Sequence, residues 1–322
     1  MILVTGATGF LGAELTRQLI TKGYSVRCTK RENSNIPDIL LPLSGSIEWV
    51  DADILDLANL EQAIEGIQQV YHCAAMVSFN RKNEDLLNEI NVEGTANIVN
   101  LCLERDIRLV HVSSVAAIGN PKANEAASEK NVWDAYDKNG VYAISKYRGE
   151  MEVWRGIEEG LNAVIVNPSV IIGENIGKSG SGQIFNLVSK GLKYYTNGKI
   201  GLVDVKDVAG AMIALMESNI RGERYIVNAE NYTYQRFFHE ILVANEMQIK
   251  QKEIAKWKLI LAAKVSVIGD MLLSNSAGLS ADVVTAAYNQ TEYSNQKIID
   301  ALDFEFEPIS DSIVNTVRNL KG

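Results

Sequence analysis

Alternation between strand-like and helix-like segments is the feature that most restricts how this chain folds. Short apolar runs alternate with helical patterns, such as the one at 13–23 that ends at Gly23. The strand-like runs lie at 1–6, 24–29, 47–53, 69–75, 108–114 and 162–169, and a further one lies at 224–228. This pattern predicts βαβ units, and therefore an α/β fold with a doubly wound parallel sheet covered by helices on both faces.

The remaining residues have a different pattern. Residues 174–200 are rich in Gly, Ser and Lys, and 231–322 read as helices joined by loops. We therefore predict two lobes: a nucleotide-binding domain of residues 1–173 plus 201–230, and a smaller, mainly helical substrate-binding lobe of residues 174–200 plus 231–322.

Charge and composition narrow the class of protein. The formal net charge of −9 argues against a nucleic-acid partner, because phosphate binding needs a surplus of Lys and Arg. The three cysteines have no metal-ligand spacing, and we interpret them as reduced thiols. His72 and His111 lie in apolar strand-like runs, so we interpret them as hydrogen-bonded structural residues and predict no metal site.

Nothing in the sequence predicts a membrane span. The strand that begins at Ile2 leaves no room for a signal peptide, and the apolar segment 259–273 is short and interrupted by Lys264 and Asp270. We interpret that segment as a buried helix, and we expect a cytoplasmic protein.

A glycine-rich turn joins the first strand to the first helix. The sequence "VTGATGFLG" places Gly6, Gly9 and Gly12 at this junction. Glycines here permit a tight turn and a close approach of the backbone to a pyrophosphate at the helix N-terminus. We predict a Rossmann-type dinucleotide site that is also lined by the turn residues Thr8, Phe10 and Leu11.

An acidic segment follows the third strand, where the strand ends of a doubly wound sheet lie beside the adenine. Asp53 is placed to accept a hydrogen bond from the exocyclic amine, and Ile54 to cover the ring. The alternative interpretation is a helix N-cap made by Asp53 or Asp56.

The end of the second strand bears on the choice of nicotinamide cofactor. An acidic residue there would bind the ribose diol and repel a 2′-phosphate. This chain has Lys30 and Arg31 instead, and a guanidinium is suited to a bidentate phosphate contact. We therefore favour NADP(H); Glu32 keeps NAD(H) as the alternative because its carboxylate is near enough to bind the ribose.

Several further motifs occur in a characteristic order along the whole chain. They are "TGATGFLG", "HCAA" (72–75), "NVEGT" (91–95), "SSVAAIG" (113–119), "YAISK" (142–146), "NPSVIIG" (167–173) and "VDVKDVAGA" (203–211). Together they resemble the extended and atypical short-chain dehydrogenase/reductases, also described as the NAD-dependent epimerase/dehydratase superfamily. Ala74 and Ala75 of "HCAA" then match residues that line the cofactor.

Three Tyr–Lys pairs have the four-residue spacing that this family uses. "YTNGK" at 195–199 contains an Asn-Gly turn signal, and "YSNQK" at 293–297 falls in the predicted substrate lobe. "YAISK" opens a plausible helix after the strand that carries Ser114, so Tyr142 and Lys146 project from one helical face. We therefore choose Tyr142 and Lys146.

The resemblance implies a role for each of these residues. Tyr142 would be the general acid in reduction and the base in oxidation, and Ser114 would hydrogen-bond the substrate oxygen. Lys146 would bind the nicotinamide ribose and, with the oxidised nicotinamide, lower the pKa of Tyr142.

Two further segments carry roles by the same resemblance. Asn91 matches the asparagine of the "NVxGT" motif, for which a structural role and a relay or substrate role both stay open. Pro168 and Ser169 match a segment whose backbone borders the nicotinamide.

The residues within and next to these motifs indicate which of the family's reactions this chain catalyses. The "SVAAIG" segment lacks the acidic pair typical of the family's dehydratases, and "NPSVIIG" and "VDVKDVA" resemble segments of dihydroflavonol- and cinnamoyl-type reductases. We predict a reductase or dehydrogenase that transfers hydride to or from a carbonyl or alcohol of a mid-sized organic molecule. It would act as a monomer or homodimer.

Two alternatives remain at this stage. One is an NAD-dependent sugar-nucleotide 4-epimerase, for which Arg221, Arg224 and Arg236 are the candidate diphosphate ligands. The other is a non-catalytic NADP-binding regulatory protein, which the presence of both Tyr142 and Lys146 disfavours.

Overall fold

The computed structural model describes residues 1–134, 140–177, 180–261 and 281–321, with the backbone alone for 281 and 282. The strands are β1 (Ile2–Thr5), β2 (Val26–Lys30), β3 (Ile47–Asp51), β4 (Gln69–His72), β5 (Arg108–Val112), β6 (Ala163–Pro168), β7 (Val170–Ile172), β8 (Tyr194–Tyr195), β9 (Lys199–Asp204), β10 (Glu223–Val227), β11 (Glu230–Thr233) and β12 (Lys252–Glu253).

The helices alternate with these strands in the first part of the chain and dominate the last part. They are α1 (Phe10–Thr21), α2 (Leu57–Ala63), α3 (Glu84–Asn88), α4 (Gly94–Glu104), α5 (Val141–Glu158), α6 (Gly182–Ser189), α7 (Val205–Glu217), α8 (Tyr234–Ala244), α9 (Ala281–Ala287), α10 (Gln296–Leu302) and α11 (Ile309–Lys321). Residues 256–261 are also helical. A π-helical turn, Glu89–Glu93, joins α3 to α4, and 3₁₀ segments cover Asp38–Ser46, Arg81–Asn83 and Val115–Ala117.

Within the described residues, seven strands form the main sheet in the order β10-β6-β5-β4-β1-β2-β3, and every neighbouring pair is parallel. The strand order reverses between β1 and β4, which is where a doubly wound sheet leaves a crevice at its carboxyl edge. The predicted Rossmann-type parallel sheet and the mainly helical C-terminal region are confirmed.

Both faces of the main sheet are covered by helices, as the aliphatic strands predict. Neighbouring residues of one strand therefore pack into different clusters: Leu3 packs with Ile98 on the α4 side, and Val4 packs with Leu15 on the α1 side. All six residues of β6 are buried. This two-sided burial fixes the register of each strand, and with it the position of every residue at the carboxyl edge.

A second, three-stranded sheet has the order β11-β9-β7. Its core contains Phe185, Tyr232 and Phe237 together with Ile313 of α11. The strand β7 lies within the segment 1–173, yet it pairs with β9 rather than with the main sheet. The division of the chain into 1–173 plus 201–230 and 174–200 plus 231–322 stays a prediction.

The apolar segment 259–273 falls mostly outside the described residues, because the structure describes it only to 261. Among the helices of the described residues, none is both long enough and apolar enough to cross a membrane.

Candidate active site

The β1–α1 turn is tightly packed backbone. Gly6 has a φ of +70°, and a Cβ on it would lie 2.6 Å from the backbone nitrogen of Ala74. A Cβ on Gly12 would lie 2.2 Å from the carbonyl oxygen of Gly6. The glycines predicted from the sequence are therefore required by close backbone contacts, which bring the turn against the segment that follows β4.

The N-terminus of α1 is free of side-chain caps. Its N-cap is Gly9, no acidic residue stands in the first turn, and the amide of Ala13 donates to the Gly9 carbonyl at 2.9 Å. The amides of Phe10, Leu11 and Gly12 precede the first intrahelical bond and lack partners within the helix. Thr8 beside them is half-buried. This cradle of glycines and uncapped amides fits the pyrophosphate of a dinucleotide.

A cleft of about 700 Å³ lies at the carboxyl ends of β2 and β3. It is lined by Arg31, Glu32, Asn33, Ser34, Asp51, Ala52, Asp53, Asp56 and Asn59. Lys30 forms an ion pair with Asp51 in this region. Arg31 is exposed and makes no ion pair with any described residue. Of the two cations at the end of β2, Lys30 is therefore already paired with a carboxylate, whereas Arg31 is accessible to a ligand.

Asp53 and Ile54 are neighbours in sequence with different surroundings. Asp53 lines the cleft, and its Oδ1 accepts from the amide of Leu55 at 3.0 Å. The N-cap of α2 is Asp56, whose side chain accepts from the amide of Asn59. Ile54 is buried, and a Cβ on Gly94 would lie 2.5 Å from its Cδ1, so its side chain packs on α4.

Tyr142 and Lys146 lie one turn apart on α5, and Ser114 faces them from the end of β5. The Ser114 hydroxyl lies close enough to the Tyr142 phenol to lower its pKa. The Ser114 Oγ also accepts from the amide of Ala116 at 3.1 Å. Phe79 packs edge-on against the Tyr142 ring at a centroid distance of 5.6 Å. The structure therefore brings the predicted acid/base residue, its lysine and the predicted oxygen-binding serine together.

Burial has opposite effects on the two titratable side chains. It raises the pKa of Tyr142 above its ordinary value, and the nearby Ser114 hydroxyl offsets part of that rise. It lowers the pKa of Lys146 to about 8, whereas Glu150 and Cys73 raise it. The Lys146 ammonium donates to the Val112 carbonyl at 2.8 Å. Without a cofactor, Tyr142 is a phenol at neutral pH, and the lowering of its pKa by Lys146 and nicotinamide stays a prediction.

The other two Tyr–Lys pairs do not share a helix. Tyr195 ends β8 and Lys199 begins β9, with the predicted turn between them. Tyr293 precedes α10, and the ammonium of Lys297 donates to Glu223 Oε2 at 2.6 Å. The helical alignment of hydroxyl and ammonium is specific to "YAISK" among the three pairs.

Asn91 lies in the π-helical turn and is 1% exposed. Its Oδ1 accepts from the amide of Met76 at 2.7 Å, and its Nδ2 donates to the Met76 carbonyl at 2.9 Å and to Ser145 Oγ at 2.9 Å. A Cβ on Gly149 would lie 2.2 Å from the Asn91 carbonyl oxygen. These contacts favour the structural role, in which Asn91 ties the loop after β4 to α5.

The remaining predicted residues lie at the two strand ends beside the turn and α5. Ala74 is half-buried against Gly6, and Ala75 is exposed. Pro168 is buried at the end of β6, and the amide of Ser169 donates to the Val227 carbonyl at 3.0 Å. All four lie at the carboxyl edge of the sheet, where the sequence placed them.

The sequence did not identify one buried carboxylate near the site, that of Glu150. Glu150, on α5, is 1% exposed and accepts hydrogen bonds from Ser113, Asn167, Trp154 and Arg224. Its position four residues after Lys146 was the available signal, since such residues share a helix face.

Two of the three arginines considered as diphosphate ligands are already engaged. Arg224 pairs with Glu150 at 2.8 Å and donates to the carbonyls of Glu129 and Asn131. Arg236 stacks on the Tyr232 ring at 3.7 Å from its centroid and donates to Glu240 Oε1 at 2.8 Å.

The two buried histidines differ in their hydrogen bonding. His72 contacts Thr5 Oγ1 at 2.7 Å and Thr95 Oγ1 at 3.2 Å, as a structural histidine should. His111 lies beside it with ring centroids 5.3 Å apart, and neither of its nitrogens has a partner within the described residues. The prediction that both are hydrogen-bonded is therefore wrong for His111, because the apolar neighbours that indicated its burial offer no acceptor. Burial lowers its pKa well below the ordinary value.

The family model for the NAD dependent epimerase/dehydratase family matches residues 2–228, which include the β1–α1 turn, Ser114, Tyr142 and Lys146. The chain belongs to that family. A Synechocystis sp. protein named "Putative dihydroflavonol 4-reductase" is 32% identical over 322 residues, which cover 98% of this chain and 93% of the relative. Cinnamoyl-CoA reductase 1 of Oryza sativa subsp. japonica is 30% identical over 241 residues, covering 70% of each chain.

Solved structures agree with this family membership. The crystal structure of gox2253 superposes with a TM-score of 0.85 at 27% identity, covering 100% of this chain and 98% of that one. A UDP-glucose 4-epimerase of Thermotoga maritima, solved with UDP-glucose, has a TM-score of 0.80 at 18% identity, covering 99% and 98%, and shows the shared fold alone. This member of the epimerase/dehydratase family is an NAD(P)-dependent enzyme of the extended short-chain dehydrogenase/reductase type.

Proposed function

We propose that this chain is an NADP(H)-dependent reductase/dehydrogenase that interconverts a carbonyl and an alcohol on a mid-sized organic molecule. The observation that carries the proposal is the helical alignment of Tyr142 and Lys146 opposite Ser114, at the carboxyl edge of the sheet. When bound, the cofactor would supply or accept hydride. The chain's own residues must then position the substrate oxygen and move one proton.

The proton step follows from the protonation states. Because burial keeps Tyr142 protonated, its hydroxyl is ready to donate to an oxygen that gains negative charge. Ser114 would hold that oxygen, and the positive charge of Lys146 would stabilise the phenolate left behind. In the oxidative direction the same groups act in reverse.

The residues that would hold the cofactor lie along one groove. Gly6, Gly9 and Gly12 would let the turn approach the pyrophosphate, and the free amides at the start of α1 would bind it. Pro168 and Ser169 would border the nicotinamide. We assign the 2′-phosphate to Arg31, the free cation of the adenine-side cleft. Asp53, which lines the same cleft, would accept from the adenine amine.

Relatives named for carbonyl reduction support a reductase over a 4-epimerase. The engagement of Arg224 by the buried Glu150 supports the same choice, because that guanidinium is then unavailable to a sugar diphosphate. The surface beside Tyr142 carries an exposed aromatic side chain, because the Phe79 ring packs against the Tyr142 ring and is itself exposed. An apolar or aromatic carbonyl compound fits that surface better than a sugar nucleotide.

The place of action and the oligomeric state belong to the same proposal. Cys28, Cys73 and Cys102 are all unpaired, which supports a reducing compartment such as the cytoplasm. A monomer and a homodimer both remain compatible with the site, because its predicted residues all come from one chain.

The test is turnover by the purified protein. We expect oxidation of added NADPH with at least some members of a panel of aromatic and aliphatic aldehydes and ketones, and weaker activity with NADH. Tightly bound NAD that copurifies, together with interconversion of sugar nucleotides and no net consumption of cofactor, would instead establish the epimerase. Cofactor binding without turnover of either panel would favour a regulatory protein.

A further inference from the structure

Glu150 is a buried carboxylate on the same helix face as Lys146, four residues further along α5. Residues with this spacing are neighbours on a helix surface. A carboxylate with 1% exposure needs partners for its lone pairs, because burying an unpaired charge is strongly unfavourable.

Four donors from four places in the chain satisfy it. Oε2 accepts from Ser113 Oγ at 2.6 Å and from Asn167 Nδ2 at 2.7 Å. Oε1 accepts from Arg224 Nη1 at 2.8 Å and from Trp154 Nε1 at 3.2 Å. An ionised carboxylate offers about four acceptor positions, so this group is saturated in its charged form.

These hydrogen bonds connect Glu150 to the strand ends that carry the candidate site. Ser113 immediately precedes Ser114, and Asn167 immediately precedes Pro168. The same Asn167 Nδ2 also donates to the Ser114 carbonyl at 3.0 Å. One carboxylate therefore links the helix that holds Lys146 to the end of β5 and to the end of β6.

The charge of Glu150 matters because the other groups near Lys146 are neutral. Cys73 follows β4, and burial raises its pKa to about 12. His72 on β4 and His111 on β5 have lowered pKa values, and Tyr142 on α5 has a raised one. Within the described residues, Glu150 is the carboxylate that acts on Lys146, and Arg224 of β10 faces Glu150.

We propose that Glu150 is a positioning residue that acts through Lys146. Its negative charge keeps the buried Lys146 ammonium protonated, and its hydrogen bonds hold Ser114 and Pro168 against the same helix. This proposal rests on the function proposed above, since it takes Lys146 as the partner of Tyr142. It assigns Arg224 the opposite effect, because the guanidinium neutralises part of the Glu150 charge.

The experiment compares two single variants with opposite expected shifts. In protein labelled with ¹³C at lysine Cε, and with the Lys146 signal assigned from Lys146→Arg, the Lys146 titration should move down by roughly one pH unit in Glu150→Gln. It should move up in Arg224→Gln. The alkaline limb of the pH profile of carbonyl reduction should follow, since reduction needs both a protonated Tyr142 and a charged Lys146.

Ser113→Ala is the matched control. It removes one hydrogen bond to Glu150 and leaves the carboxylate charge in place, so the Lys146 titration should stay where it is in the unaltered chain. A role limited to packing would lower the melting temperature in all three variants without moving the titration in opposite directions.

The results separate this proposal from the proposed function. If the Lys146 titration is unmoved in Glu150→Gln and in Arg224→Gln, the positioning role is overturned, whatever the enzyme turns over. If the titration shifts as expected but no carbonyl is reduced, the proposed function fails and the charge relation stands. If Glu150→Gln does not fold, the proposal is tested by Arg224→Gln alone. An upward shift of the Lys146 titration in that variant supports the positioning role, and an unmoved titration overturns it.

Discussion

At the β1–α1 turn the candidate groove is built from backbone, whereas around Lys146 it is built from buried side chains. The turn relies on glycines whose missing Cβ atoms let Gly6, Gly12 and Ala74 touch. The α5 region relies on a carboxylate and an ammonium that are each almost fully buried. The glycines of the first arrangement fall within one short segment of the sequence, whereas the groups of the second come from α5 and from Ser113, Asn167 and Arg224 on distant elements.

This difference predicts different consequences of mutation. A change in the turn should act through shape, so its effect should be insensitive to pH. A change around Lys146 should act through charge, so its effect should depend on pH. The four predictions below test this contrast, beginning with the largest effect.

Removal of the Tyr142 hydroxyl should have the largest effect. Tyr142→Phe takes away the proton that we assign to the reaction, and general acid catalysis contributes roughly 10²–10⁴-fold. The turnover number for carbonyl reduction should fall by about that factor, while the dissociation constant of NADPH changes little. Near-normal turnover in this variant would remove Tyr142 from the proton step.

A single methyl group in the turn should damage the pyrophosphate site. In Gly12→Ala the new Cβ would lie 2.2 Å from the Gly6 carbonyl oxygen, so backbone must move. We expect a loss of about 3 kcal/mol in the free energy of unfolding and weaker binding of both NADPH and NADH at every pH. The matched control is Gly45→Ala, whose Cβ would meet nothing within 4 Å; equal losses in the two variants would contradict the argument.

Burial of Lys146 should appear in the pH dependence of stability. Its folded-state pKa of about 8 lies below the ordinary lysine pKa of 10.5, so the unfolded chain binds more protons between these values. Stability attributable to Lys146 therefore rises with pH across that window, by roughly 3 kcal/mol. Urea unfolding of the unaltered chain and of Lys146→Met should diverge above pH 8, and parallel curves would exclude this burial cost.

The exposed cation of the adenine-side cleft should have the smallest effect. Arg31→Ala should weaken NADPH binding roughly tenfold, as expected for loss of a charged hydrogen bond, and leave NADH almost unchanged. Lys30→Ala is the neighbouring control, because Lys30 is already paired with Asp51. If Arg31→Ala weakens the binding of NADH as much as that of NADPH, NAD(H) is the cofactor. The same conclusion follows if the unaltered chain binds NADH more tightly than NADPH and Glu32→Gln weakens the binding of NADH alone.

The same contrast explains what the sequence could and could not predict. Strand-helix alternation and the glycine turn are local patterns, and the structure has them where they were expected. "YAISK" could be chosen over the other two Tyr–Lys pairs from local sequence alone, because one of them contains an Asn-Gly turn and the other lies near the C-terminus. Glu150 was missed because its meaning depends on Ser113, Asn167 and Arg224 meeting it through folding.

The sequence also failed to predict the polar surroundings of Arg224 and His111, because those surroundings are formed only by folding. Arg224 was considered as a phosphate ligand because a sequence shows a cation but not the buried carboxylate that pairs with it. His111 was expected to have hydrogen-bond partners, yet the strand pairing that places it beside His72 provides none within the described residues. Hydrophobic periodicity predicts which residues are buried, but it does not predict their polar partners.

The contact between Gly149 and the Asn91 carbonyl has a consequence for protein engineering. Because backbone touches backbone there, α5 has no freedom to rotate or slide relative to the π-helical turn. A mutant library aimed at a new substrate should therefore leave Gly149 unchanged. A productive position for such a library is Phe79, whose exposed ring packs against Tyr142.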